Sequence, residues 1–428
     1  MIVGLTFALL LVLLFINAPV FAAILGSSIF YFVANDSLSW MMVVQRTISG
    51  LESIPLLAVP FFVMAGVFMN YTGITSRMIR FAEVLTGHMP GGLAQTNVVL
   101  STLMGGLSGS SLADAAMQSK ILVPEMEKRG YGKAFSSAVT GASALITPII
   151  PPGIALIIYG FVGNVSIGRL FLAGVVPGVM TCLFMMVVVH FISKRRGYLP
   201  IYEKRAGIRE VFRAFREASW ALFLPVVIVG GIRFGVFTPT EAGSIAILYA
   251  LVLGTIVYRE MTLKDLKTGL IETVTTTASI MLIIAAASSF AWILTWERVP
   301  QITANWVLTM VSSPGVFLLL INIFLLIVGM FIEGNAAMLV LIPIFMPMVQ
   351  ALGINDVHFG MVFIFNMAVG SLTPPMGTVM FTTCSITGAK IGDYIRESVP
   401  FYLVLLFCLL LITYIPQISL FLPNLLFN

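Results

Sequence analysis

The chain has 428 residues, 59% of them hydrophobic and 10% charged, with a mean hydropathy of +1.05. Soluble domains are about 45–50% apolar and about 25% charged, so a water-soluble globule is excluded. The net charge of +5 does not mark a nucleic-acid surface, because the basic residues gather in one stretch, Lys194, Arg195, Arg196, Lys204, Arg205, Arg209, Arg213 and Arg216, between apolar segments. That is the pattern of a cytoplasmic loop under the positive-inside bias.

Apolar stretches recur along the whole chain, among them Val3 to Phe15, Ala218 to Ile232, Ile280 to Leu294 and Val316 to Met330, and many approach the roughly 20 residues of a spanning helix. The expected fold is therefore all-α, polytopic and membrane-embedded. Met1 leads into an apolar stretch without a basic n-region or cleavage site, so the start reads as a retained helix. The first 35 residues fit two short helices turning at Asn17-Ala18-Pro19, with Met1 in the periplasm. Thr75 to Thr86 and Met261 to Ile271 carry charges among apolar residues and suit amphipathic arm helices in the interface. Between His88 and Lys120 a segment broken by Gly105, Gly106 and Gly109 reads as a re-entrant hairpin open to the cytoplasm. Ala134 to Gly168 reads as an interrupted span, and Phe171 to Ile192 follows it. Past the basic loop come spans over Ser219 to Val236, Ala242 to Tyr258 and Thr273 to Trp296. The segment Glu297 to Pro314 should lie outside, and a second hairpin, Val316 to Met348, should open to the periplasm.

A shift of 223 positions aligns Gly92, Gly106, Pro124, Gly130, Pro151, Pro152 and Pro177 with Gly315, Gly329, Pro347, Gly353, Pro374, Pro375 and Pro400. Chance supplies about one such match over that window, so the chain contains an internal repeat. The loop charges start the first unit inside and the second outside, which makes the repeats inverted. The resulting division is 1–90 for N-terminal scaffold helices and the first arm, and 91–193 for the first transport repeat. Residues 194–314 hold the basic loop, scaffold helices and the second arm, and 315–428 hold the second transport repeat and C-terminal helix.

The chemistry follows from the interruptions. Thr147-Pro148-Ile149-Ile150-Pro151-Pro152-Gly153 and Thr373-Pro374-Pro375-Met376-Gly377 cannot continue a helix, since proline lacks an amide donor and disfavours helix before it. Freed carbonyls at membrane depth suit a small hard cation. Sodium is expected, with one ion near Ser108, Thr147, Ile150 and Pro152 and another near Gly329, Gly370, Thr373 and Met376. The hairpin tips offer amides, hydroxyls and helix N-termini to an anionic solute. The candidate substrate residues are Ser108, Gly109, Ser110, Ser111, Asp114, Glu333 and Asn335, with Thr378 opening the half-helix after the second break. Against these roles, Asp114 reads as a helix cap, and Glu333 as either a functional carboxylate or an ordinary solvated one. Glu52 and Glu241 read as helix-start residues, and Arg46, Arg298 and His358 as span-end anchors.

The run ending at Asp114, the Thr-Pro-x-x-Pro-Pro-Gly run, Asp356-Val357-His358-Phe359-Gly360 and Thr373-Pro374-Pro375-x-Gly377 resemble the large membrane subunit of TRAP (tripartite ATP-independent periplasmic) transporters over nearly the whole chain. The resemblance implies an elevator-type sodium symporter in a bacterial inner membrane. It implies a separate small four-helix membrane subunit, a periplasmic substrate-binding protein, and acidic cargo such as sialic acid or C4-dicarboxylates. The rival classes find less support. No Gly-x-x-x-x-Gly-Lys-Ser/Thr loop is present, and His88, His190 and His358 form no His-Glu-x-x-His motif of an intramembrane enzyme.

Overall fold

In a bilayer every backbone amide and carbonyl must be satisfied within the protein, and a chain this apolar without alternating patterning does so as helices. A computed structural model describes residues 2–16, 18–311 and 313–427, and among them every regular element is helical. Six helices are long and apolar enough to cross a membrane, or up to eight if two sharply bent pairs each count as one span, among the described residues.

The N-terminus forms two helices, Ile2–Phe15 and Val20–Ala34, which pack on one another. Of their connection, Asn17 lies outside the described residues, as does Met1, whose side of the membrane is an expectation from the sequence. Val20–Ala34 packs along Leu263–Trp296, where the Tyr31 hydroxyl donates to Glu297 and Phe32 stacks on Trp292 at 5.5 Å. Ala58–Asn70 packs closely on Pro239–Val252. The latter buries Ala242, Gly243, Ala246 and Ala250, and a methyl added at Gly243 would lie 2.7 Å from Phe61 Cβ. Small residues let the two backbones approach, which is how helices associate where lipid removes the hydrophobic drive.

Two capping boxes close extramembrane turns. Thr238 and Glu241 start Pro239–Val252, and Thr262 and Asp265 start Leu263–Trp296. Glu241 is held below the usual carboxylate range by the Thr238 amide and then its hydroxyl, and Asp265 by the Thr262 hydroxyl and then its amide. A carboxyl lowered on folding stabilises fully above its unfolded pKa, and the contribution is lost as pH falls through the lowered value. Thr238→Ala and Thr262→Ala are each expected to lower the thermal midpoint in detergent by about 2 °C at neutral pH, and by less in acid. An equal loss at both pH values would count against the boxes.

The first arm is helix Ile74–Thr86, entered through Gly73 at φ 74° and bent by 72° from the preceding segment. The second arm differs from expectation. Met261 to Ile271 is no separate interfacial helix, because Leu263–Trp296 runs unbroken for 34 residues. The segment expected as an outer loop instead contains the helix Val299–Met310, entered through Arg298, also left-handed at φ 53°. This is the counterpart of the first arm, since Thr309 and Met310 lie 223 positions beyond Thr86 and Gly87. The basic loop is also shorter than its charges suggest: helix Ile208–Arg233 carries Arg209, Arg213 and Arg216 on its first turns.

The repeats are drawn in register. Hairpin 1 comprises Gly92–Ser108 and Ser111–Lys128, and hairpin 2 comprises Pro314–Gly329 and Gly334–Ala351. Gly334 and Ala351 lie 223 positions beyond Ser111 and Lys128, so the second arms correspond end to end. The interrupted spans are Lys133–Ala144 with Ile154–Val162, and Asp356–Leu372 with Thr378–Thr387. Helices Ile167–Arg196 and Ile391–Tyr414 follow, and Pro416–Leu426 ends the chain. Each hairpin's first arm packs on the first half-helix of its own repeat, while its second arm packs both on that half-helix and on the second half-helix of the other repeat. Hydrogen bonds cross between repeats at Ser137 Oγ to Thr387 Oγ1 (2.9 Å) and at Tyr159 Oη to the Asp356 carbonyl (2.8 Å). Such an exchange of partners is what a two-fold axis in the membrane plane generates between inverted units.

Candidate functional site

The breaks follow directly from where the prolines fall. In an α-helix the carbonyl of residue i accepts from the amide of i+4. Pro151 and Pro152 therefore leave the Thr147 and Pro148 carbonyls without their helical donors, and Pro374 and Pro375 do the same to Gly370 and Ser371. The backbone tightens in part: the Thr147 amide turns to the Ala144 carbonyl at 3.2 Å and the Thr373 amide to the Gly370 carbonyl at 2.9 Å. Both the Pro151-Pro152 and Pro374-Pro375 bonds are cis.

Glycines bring each hairpin end onto a break. Gly109, at φ 59°, sits so that an added methyl would lie 2.7 Å from the Pro152 carbonyl oxygen, and one at Gly105 would lie 2.6 Å from Ile150 Cβ. Ser108, Gly109, Ile150 and Pro152 thus share one neighbourhood. In the second repeat the approach is backbone to backbone, with a methyl on Gly370 reaching 2.6 Å from Gly329 Cα. Gly329, Gly370 and Thr373 lie together, and the Thr373 hydroxyl bonds to the Val369 carbonyl at 2.8 Å. Met376 is in the same loop and is 45% exposed.

The structure corrects the reading of two carboxylates. Asp114 is not a cap: Ser110 fills that position for Ser111–Lys128, accepting from the Ala113 amide at 3.4 Å. Asp114 lies one turn further along and is buried. Its Oδ2 accepts from Gln118 Nε2 at 2.8 Å and lies 2.9 Å from the Thr147 hydroxyl of the first break. Gln118 Nε2 reaches Ser101 Oγ at 2.7 Å, Ser101 Oγ reaches Ser143 Oγ at 3.1 Å, and Ser143 Oγ donates to Asn97 Oδ1 at 2.8 Å. Asn97 Nδ2 closes the chain on Thr140 Oγ1 at 2.7 Å. Asp114 Oδ1, Gln118 Oε1 and Ser108 Oγ are buried acceptors with no protein partner, and no Lys, Arg or His ion-pairs with Asp114 among the described residues.

Glu333 does cap. It occupies the position equivalent to Ser110, accepts from the Ala336 amide at 3.2 Å, and receives a bond from Asn335 Nδ2 at 2.7 Å. It is half-buried at the hairpin 2 tip and, like Asn335, makes no hydrogen bond or ion pair to hairpin 1 among the described residues. Ser111 begins the second arm of hairpin 1, which packs on the half-helix that Thr378 begins. The proposed solute contacts therefore form two groups, one per hairpin tip.

Sequence reading passes over Asn97, Ser101, Gln118, Thr140 and Ser143. Their signal is periodic: Asn97 and Ser101, Asp114 and Gln118, and Thr140, Ser143 and Thr147 recur at helical spacing, giving each of three apolar helices one polar stripe. Near the second break, Asn366 Nδ2 bonds to Asn322 Oδ1 at 2.8 Å and Asn322 Nδ2 to Thr413 Oγ1 at 2.9 Å, with no carboxylate in that cluster. His358 Nε2 donates to the Thr413 carbonyl at 3.2 Å and the ring is buried, which makes it an interior packing residue instead of a span-end anchor.

Comparison with known proteins agrees with this architecture. The chain is 41% identical over 413 residues to the sialic acid TRAP transporter large permease protein SiaM of Vibrio cholerae, covering 96% of each. It is also 41% identical over 373 residues to the C4-dicarboxylate TRAP transporter large permease protein DctM of Pseudomonas aeruginosa, covering 87% of each. The crystal structure of the Alcanivorax borkumensis YdaH transporter shares the fold, with a TM-score of 0.64 at 14% identity over 90% of this chain and 89% of that one. Residues 7–418 match the family described as Tripartite ATP-independent periplasmic transporter, DctM component, and the chain belongs to that family of inner-membrane permease subunits.

Proposed function

We propose that this permease imports an acidic organic solute by sodium symport, moving the hairpins and interrupted spans against the remaining scaffold as an elevator. A small four-helix membrane subunit and a periplasmic binding protein that delivers the solute complete the system. The observation that carries this reading is the sealed Asp114 network at the first break. A carboxylate held in a dry interior with no cationic partner is costly, and a bound cation offsets that cost. Asp114 Oδ1, Gln118 Oε1 and Ser108 Oγ have no protein partner among the described residues, and Pro151 and Pro152 deprive the Thr147 and Pro148 carbonyls of their helical donors; together these are the hard oxygens that suit a sodium ion. We therefore assign Asp114 to the cation and not to the solute.

The second cation is proposed at the Gly329 and Gly370 contact, where the donors are neutral carbonyls. The solute carboxylate would meet the amides and hydroxyls of Ser108 to Ser111 and the N-terminus opened by Thr378. Equal identity to relatives named for sialic acid and for C4-dicarboxylates supports an acidic solute as the class and does not select between those two.

Reconstituted with its small subunit, the permease is expected to accumulate solute only with an inward sodium gradient and added binding protein. Uptake driven equally by potassium, or without the binding protein, would reject the proposal.

A further inference from the structure

The cytoplasmic base of the first arm carries a second recessed site, lined by Arg77, Arg213, Arg216, Glu217, Trp220 and Tyr258 around a cavity of about 340 Å³. Its walls are fixed by bonds within the protein. Arg77 pairs with Glu260 at 2.8 Å and lies over the Tyr258 ring at 3.9 Å, while the Tyr258 hydroxyl donates to the Glu217 carbonyl at 3.1 Å. Glu217 is committed to Arg80 at 2.9 Å. Arg213 reaches Glu217 only at 4.0 Å, and Arg216 pairs with no carboxylate among the described residues. Two guanidinium groups at this mouth are thus left in excess of the carboxylates facing them.

The charges lie at one level and the apolar surface at the next. Arg213 and Arg216 sit on the extramembrane turns of Ile208–Arg233, and Trp220 follows one turn deeper, 49% exposed. Phe223 and Val226 continue outward-facing down the same helix, 55% and 62% exposed, beside exposed Leu248 and Ile256 of the adjacent span. Guanidinium groups above an interfacial tryptophan above an apolar track match the anatomy of an anionic lipid: a phosphate, a glycerol region and acyl chains.

We propose that this recess binds the phosphate of an acidic glycerophospholipid of the cytoplasmic leaflet, clamping the first arm to helix Ile208–Arg233. The pocket joins Arg77 of the arm to residues of the scaffold, so an occupant touches both bodies.

The test is native mass spectrometry of the full chain in detergent, titrated with phosphatidylglycerol or phosphatidylcholine of matched chains. Phosphatidylglycerol is expected to be retained and phosphatidylcholine not. Each of Arg213→Gln and Arg216→Gln should weaken retention about fivefold, and the double variant about twentyfold or more. Arg216→Lys should recover part of the loss, and circular dichroism should show all variants equally helical. Equal retention of both lipids, or unchanged phosphatidylglycerol binding in the double variant, would overturn the proposal. Displacement of the lipid by millimolar inorganic phosphate would overturn the assignment to a lipid.

Discussion

Asp114→Asn is expected to lower sodium-driven uptake by about 100-fold or more while leaving hairpin 1 folded. The asparagine carbonyl can take over the bonds from Gln118 Nε2 and the Thr147 hydroxyl, and its new amide can donate to Gln118 Oε1, a buried acceptor without a partner. The polar network survives and only the negative charge goes. Losing one partner of a buried charge pair costs about 3–5 kcal/mol, which is roughly two to nearly four powers of ten in affinity. Sodium activation of uptake in proteoliposomes should therefore move to far higher concentration, at unchanged expression and thermal midpoint. An unshifted sodium curve would place the coupling ion elsewhere and leave Asp114 as a structural carboxyl.

Gly370→Ala should abolish uptake through geometry alone. The new methyl would sit 2.6 Å from Gly329 Cα and 2.9 Å from its carbonyl carbon, and neither can rotate away because both are backbone. Hairpin 2 and the second interrupted span must then separate, at an overpacking cost of about 1–3 kcal/mol and with displacement of the carbonyls between them. Gly315→Ala on the same hairpin is the control. Its methyl would meet Tyr414 Cε1 at 3.6 Å, an ordinary contact, and transport should remain near that of the parent chain. Equal activity in the two variants would show that this approach is not needed for function.

The hairpins and breaks are legible in the sequence because glycine and proline act locally, and the same 223-residue shift that pairs Pro151 with Pro374 also pairs the ends of the hairpin arms. Carrying that shift upstream of Gly92 also points to Val299–Met310 as the second arm. Met261 to Ile271 misleads because the cytoplasmic start of an overlong span is amphipathic too. A helix of 34 residues is about 51 Å long against a hydrocarbon core of about 30 Å, so its first turns stand among headgroups and carry Lys264, Asp265, Lys267 and Glu272. Asp114 is not legible as a network residue, because its partner Thr147 comes from another helix and only packing brings the two together. The exposure of Met376 is likewise a matter of loop geometry that residue type does not encode.

The exchange of partners between the repeats bears on how the protein is made. Ile154–Val162 packs on Gly334–Ala351, and Ser111–Lys128 packs on Thr378–Thr387 as well as on Lys133–Ala144 of its own repeat, so part of the first repeat's surface leaves the ribosome long before the helices that cover it. Until the last third of the chain is inserted, the sealed polar stripes and the proline breaks have no complete enclosure. Such long sequence separations slow folding and prolong exposure to quality-control proteases. A nascent chain stopped before residue 314 would accordingly be a degradation substrate and not a stable half-carrier.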